Sequence, residues 1–152
     1  MKKARQRPGD AALLPGRERI LLDTGVLVAL HLRDDWGHRK IASWFAEFEG
    51  ELHTIEAVLT EAAHFVSLRA RVALAELAAS GKLMLHLPDA AGHARMAELF
   101  RKYGDQEPDW ADMGLVWLAE KTGITRIATL DVADFSVYRI NGRKRFELEL
   151  LR

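Results

Sequence analysis

Short apolar runs alternating with amphipathic stretches predict an α/β protein, a three-layer α/β/α sandwich around a mainly parallel sheet. Acidic residues stand at the expected carboxyl ends of two of these strands, where open parallel sheets collect their chemistry. A third observation is the segment from Pro108 to Phe135, PDWADMGLVWLAEKTGITRIATLDVADF, which reads as one complete helix–strand unit. Residues 1–18, with Pro8, Gly9, Pro15 and Gly16 among charges, read as a flexible lead-in, and residues 19–152 as a single domain.

The elements follow in order. Arg19 to Leu22 is a strand closed by Asp23, and Val26 to Leu30 a short apolar helix or turn. Trp36 to Phe48 places Ile41, Trp44, Phe45 and Phe48 on one helical face and stops at Gly50. Glu51 to Thr54 is a second strand, with Thr54 expected to cap a helix over Ile55 to Leu68. Glu61 falls on the apolar face of that helix, beside Ala57, Val58 and Phe65, and unpaired burial of a carboxylate is costly. Arg71 to Ser80 is a helix stopped by Gly81, Leu83 to Leu87 a strand, and Asp89 to Tyr103 an amphipathic helix.

In the central unit Pro108 suits a first helical position, and Asp109 and Asp112 the electropositive first turns. Lys121 and Gly123 close the helix, with Trp110, Met113 or Gly114, and Trp117 on its inward face. Ile124 to Leu130 is expected as a buried parallel strand ending at Asp131. Phe135 to Ile140 is expected as a last parallel strand, Asn141-Gly142 as a turn, and Phe146 to Leu151 as an edge strand or hairpin arm.

At 152 residues, 49% hydrophobic and 29% charged, the composition is that of a soluble globular domain with no membrane-spanning run. The absence of cysteine excludes disulfides and thiolate metal sites and fits a cytoplasmic protein. Net charge is zero but uneven: 11 basic and 18 acidic residues lie between residues 20 and 138, and the ends are basic. An acidic centre with basic ends suits a cation inside and a polyanion at the rim, and equally suits solvated tails.

Four carboxylates are therefore candidates for one site: Asp23 and Asp131 at strand ends, Asp112 near a helix start and Glu61 on an inward helix face. Hard divalent ions take such oxygen ligands, and a cysteine-free acidic set fits Mg2+, or Mn2+, better than zinc. Thr24 and Thr129 lie close enough in sequence to orient the acids. Taken singly, each acid has a simpler reading, as a turn former, a helix cap, a dipole complement or an arginine partner.

Taken together, ILLDTGVLVAL, TIEAVLTEAAHFV, DWADMGLVWLAEKTG and IATLDVADFSVYR resemble, in order, the four acid-bearing blocks of PIN domains, and most of all the VapC-type toxin ribonucleases. The resemblance spans Ile20 to Arg145. It implies a magnesium-dependent endoribonuclease, with Asp23, Glu61, Asp112 and Asp131 as its catalytic, metal-holding acids. Thr129 matches the small hydroxyl residue before the last acid, while Asp109 and Asp134 are further acidic positions of varying role. A homodimer inhibited by a small antitoxin protein follows by the same analogy. The lead-in is longer than that pattern needs, and no basic RNA groove is evident. Phosphate contacts are expected from scattered residues such as Arg33, Arg39, Lys40, Arg69 and Arg71.

Two other readings compete. Asp23-Thr24-Gly25 resembles the loop of retroviral-type aspartic proteases, which need a second such carboxylate and an all-β fold; the helical periodicity here opposes them. A catalytically silent PIN-like module that binds RNA or protein is the other alternative. The six histidines show no metal-ligand spacing, although His64 lies one turn from Glu61, and the pair Trp110 and Trp117 reads as core.

Overall fold

The computed structural model describes residues 17–34 and 36–151, so most of the expected lead-in lies outside the described residues. Five strands form one parallel sheet in the order β3-β2-β1-β4-β7. They are β1 (Arg19–Leu22), β2 (Glu51–Ile55), β3 (Leu83–His86), β4 (Arg126–Ala128) and β7 (Glu147–Leu148). The helices are α1 (Thr24–His31), α2 (His38–Glu47), α3 (Glu56–Phe65), α4 (Leu68–Ala79), α5 (Ala90–Lys102), α6 (Trp110–Thr122) and α7 (Val132–Val137). A small antiparallel pair, β5 (Arg139–Ile140) and β6 (Lys144–Arg145), stands apart from the sheet.

The strands are apolar because both faces of the sheet are covered, as parallel sheets require. Ile20, Leu21 and Leu22 are fully buried, as are Ile127 and Ala128 opposite them. Crossovers carry β1 to β2 to β3 in one direction and then return to β4 on the far side of β1. The chain thus reverses between β1 and β4, and the crevice past their carboxyl ends is the topological switch point. The parallel sheet and its seven helices leave no place for the all-β protease reading. Among the described residues no helix is long and apolar enough to cross a membrane.

Several boundaries differ from expectation for local reasons. Thr54 does not cap α3; its hydroxyl donates to the Leu22 carbonyl at 2.7 Å, stitching β2 to β1. The helix expected to run to Leu68 stops at Phe65, and Ser67 starts α4 by accepting from Ala70 N at 3.2 Å. Pro108 precedes the helix it was expected to open, because Asp109 is the N-cap and accepts from Asp112 N at 2.7 Å. Gly123, at φ 75°, ends that helix in the left-handed region, where glycine carries no steric penalty.

Phe135 to Ile140 is not a parallel strand. Asp131 caps the short helix α7, which turns Phe135 into the core, and only Arg139–Ile140 extends, pairing antiparallel with β6. Asn141 and Gly142 make that turn with φ of 53° and 71°, the left-handed pair that a tight hairpin demands. The expected strand over Phe146 to Leu151 shortens to the edge strand β7, and a 3-10 turn at Glu149–Leu151 follows. Trp117 is buried, but Trp110 is 55% exposed and does not belong to the core.

The helix α6 is set close to β2 by Gly114. A Cβ there would lie 2.3 Å from Cδ1 of Ile55, itself buried. Gly114→Ala is therefore expected to lower stability by about 1–3 kcal/mol through overpacking, measured by chemical denaturation. Adding Ile55→Val, which removes the clashing methyl, should restore part of that loss; a double variant no better than Gly114→Ala would refute the close approach as the cause.

Candidate active site

Asp23, Glu61, Asp109, Asp112 and Asp131 line one cleft of about 530 Å³ beyond the strand ends, together with Thr24, Gly25, Val28, Phe65 and Leu130. None of these lining residues is basic. All four acids expected to share a site therefore meet, and Asp109 joins them. Asp23 and Asp112 are 8% and 6% exposed, Glu61 is half-buried, and Asp109 and Asp131 stand at the rim.

Asp23 comes directly off β1 and caps α1. Its Oδ1 accepts from Thr24 N at 2.8 Å, and its Oδ2 accepts the Thr129 hydroxyl proton at 2.7 Å. Thr129 also accepts from Asp131 N at 2.9 Å, so one buried hydroxyl ties the end of β1 to the end of β4. Thr24 orients the carboxylate through its backbone N–H, while its buried hydroxyl has no hydrogen-bond partner among the described residues. Asp131 spends an oxygen on capping α7, accepting from Asp134 N at 3.1 Å.

Asp112 is held by a residue that sequence reasoning missed. The Tyr138 hydroxyl donates to Asp112 Oδ2 at 2.9 Å. Tyr138 is fully buried, its ring edge-on to Tyr103 and Phe135 at 5.1 and 5.3 Å. Because that stretch read as a strand, nothing pointed its side chain at the acids; only the α7 turn does so.

The electrostatics follow from crowding carboxylates where water is scarce. Burial raises the Asp23 carboxyl from 3.8 to about 6 against the hydrogen bonds from Thr129 and Thr24, with Asp109 and Asp131 adding repulsion. Burial likewise raises Asp112, with Asp109 and Asp23 adding to it and Tyr138 opposing it. Burial and the Asp109 charge raise Glu61, and burial with the neighbouring Asp131 raises Asp134. Burial and the Asp112 charge push the Tyr138 hydroxyl upward, so it remains a proton donor at neutral pH.

An all-oxygen acidic donor set with no basic counter-charge and an unpartnered buried hydroxyl has the chemistry of a hard divalent cation site. Among the described residues, no three His, Asp or Glu side chains are placed to hold an ion as they stand.

A family model described as the PIN domain matches residues 20–140, from β1 through β5, and includes every one of these acids. The chain belongs to the PIN domain family. No curated protein shows significant similarity to it. Among solved structures, Mycobacterium tuberculosis VapC20, a sarcin-ricin loop cleaving toxin, superposes on this PIN domain with a TM-score of 0.69. That match covers 75% of this chain and 91% of the other at 22% identity, a likeness of fold.

Two outcomes follow from the geometry of this PIN domain. Folding without a divalent ion takes up protons at Asp23 and Asp112, because both bind them more tightly folded than unfolded. The associated stability is fully present below 3.8 and is lost as pH rises through about 6 at Asp23 and higher at Asp112. His53 and His86, lowered chiefly by burial, act oppositely, favouring the fold as pH rises toward 6.5, so the informative range begins there. In EDTA, Tm is expected to fall by a few degrees between pH 6.5 and 8.5, on the scale of roughly 2–4 °C per kcal/mol. Asp112→Asn should flatten that slope; the same slope in wild type and variant would contradict the assignment. Tyr138→Phe keeps the ring packing and removes only the donor, and should weaken Mg2+ binding about tenfold by calorimetry. Unchanged affinity would show that the hydroxyl does not position Asp112.

Proposed function

We propose that this PIN domain is a divalent-metal-dependent endoribonuclease of the VapC toxin type, cleaving RNA phosphodiester bonds. The observation that carries the reading is the meeting of Asp23, Glu61, Asp112 and Asp131 in one cleft lined by no basic residue. Asp23 and Asp112, the two buried and hydrogen-bonded carboxylates, would be the principal ligands, with Glu61 and Asp131 completing the set. A bound Mg2+ or Mn2+ supplies positive charge to the phosphate oxygens and acidifies water at the site.

The chain's own residues do the rest. Thr129 and Thr24 N fix both oxygens of Asp23, and Tyr138 fixes one oxygen of Asp112, so two carboxylates are oriented before substrate arrives. Val28, Phe65 and Leu130 wall the cleft with apolar surface that limits water around the acids. The outer acids Glu61 and Asp131 line the same cleft, and a proton leaving the attacking water passes by way of them to solvent. Water oxygen joins phosphorus, the bond to the 3′ oxygen breaks, the departing oxygen takes a proton from solvent, and the products carry 5′-phosphate and 3′-hydroxyl ends.

The VapC likeness also supports an RNA substrate, a small antitoxin partner inserted near the acids, and a homodimer acting in the cytoplasm. Phosphate contacts fall to lysine and arginine residues outside the cleft, since none lines it. A second reading has its own observation: with no three acidic or imidazole groups among the described residues placed to hold an ion, a silent PIN module that binds RNA or protein is the alternative.

The test is cleavage of a mixed structured RNA by purified protein with Mg2+, Mn2+ or EDTA, alongside Asp23→Asn and Asp112→Asn. Metal-dependent cutting reduced at least about a hundredfold in both variants is expected, the scale of losing a charge-stabilising group. Cutting that survives in both variants would overturn the residue assignment. RNA binding with neither cutting nor ion-dependent stabilisation would favour the silent module.

A further inference from the structure

A second groove, of about 620 Å³, adjoins the acid cleft between α3 and α6 and is mainly apolar. Phe65 and Glu61 line both; His64, Leu87 and Trp110 supply most of the remaining wall, with Glu56 and Thr60 along α3. Trp110, Phe65 and Leu87 are 55%, 59% and 74% exposed, a contiguous apolar surface that a monomeric domain seldom leaves bare without use. Trp110 directly follows the cap Asp109 and lies in the same first turn of α6 as Asp112. Its ring is supported from behind by Phe100 and His93, at 5.8 and 6.2 Å between centroids, which fixes the indole while leaving part of it open to the groove.

We propose that this groove is a stacking subsite for an unpaired nucleobase of the RNA whose phosphodiester enters the acid cleft. The inference rests on the nuclease reading above and adds to it a place for one base of the substrate, against the Trp110 ring. The groove has no lysine or arginine, so a phosphate gains nothing there, whereas the face of any base gains by stacking on a held aromatic ring. The shared wall of Phe65 and Glu61 makes the two grooves continuous, so one nucleotide strand can occupy both, base on the apolar side and phosphate on the acidic side. Trp36, 88% exposed, lies outside both grooves and serves as a control.

The experiment measures binding of a short single-stranded RNA containing 2-aminopurine to the full chain with Mg2+, by anisotropy and by quenching of the base fluorescence. Wild type, Trp110→Ala, Trp110→Phe and Trp36→Ala are compared, and cleavage of the same RNA is followed in parallel. Trp110→Ala is expected to bind about tenfold more weakly, the effect of removing one stacked ring, and to lose the quenching. Trp110→Phe should retain most of both, and Trp36→Ala should match wild type. An abasic nucleotide at the quenched position should weaken wild type and leave Trp110→Ala unaffected. Equal binding and quenching in Trp110→Ala, with cleavage intact, would overturn the stacking subsite and leave the nuclease reading standing. RNA behaviour unchanged while a protein partner loses affinity for Trp110→Ala would assign the groove to that partner instead. If wild type neither binds nor cuts RNA, the nuclease reading and this subsite fall together.

Discussion

Like charges held close together with little water between them raise one another's energy, and that repulsion is the constraint this PIN domain is built around. Five carboxylates line a cleft without a basic residue, two of them buried. The four aspartates are tied to backbone or to a neutral hydroxyl rather than to a counter-charge: Asp23 by Thr24 N and Thr129, Asp112 by Tyr138, Asp109 and Asp131 by the helix starts they cap. Neutral donors hold the carboxylates in position and leave their charge uncancelled. A site neutralised by arginine would be more stable on its own and useless for a cation.

The fold makes this tolerable by where it places the strain. The cleft sits at the switch point between β1 and β4, the one position in the sheet where successive crossovers diverge and a crevice is unavoidable. Beneath it the sheet is dense: Leu21, Leu22, Ile127 and Ala128 are completely buried, and Thr54 and Thr129 stitch neighbouring strands through their hydroxyls. The Gly114 contact with Ile55 brings α6 down onto β2 and carries Asp112 with it. Packing energy gathered in the core thus holds in place a rim that electrostatics alone would push apart. At the edge the chemistry changes abruptly, from the acids to the aromatic wall of Phe65 and Trp110.

Much of the site was legible because its residues announce themselves locally. Asp23 and Asp131 stand at the ends of apolar strands, Asp112 in the first turn of a helix, and Glu61 on a face whose other members are apolar. Each pattern depends only on periodicity, and all four acids do line one cleft. The last quarter of the chain was harder. Phe135 to Ile140 has the composition of a strand, yet Asp131 uses its side chain to start α7, and a capping choice of that kind is decided by competition with the sheet. The misplaced element concealed Tyr138. Trp110 was read as core from its spacing with Trp117, but the helix turns it past the edge of α5, where Phe100 covers only one side.

The sequence by itself determined the alternation of strands and helices, the acids at their ends and the family to which the chain belongs, because periodicity, caps and strand-end residues act within a few positions of one another. The tertiary structure decided which hydroxyl meets which carboxylate, that Thr24 contributes its backbone and Thr54 its side chain, and that an apolar groove opens beside the acidic one. Those outcomes join residues such as Thr129 and Asp23, or Tyr138 and Asp112, that lie far apart in the chain. Their pairing is set by strand order and helix approach, and a local pattern carries no record of either.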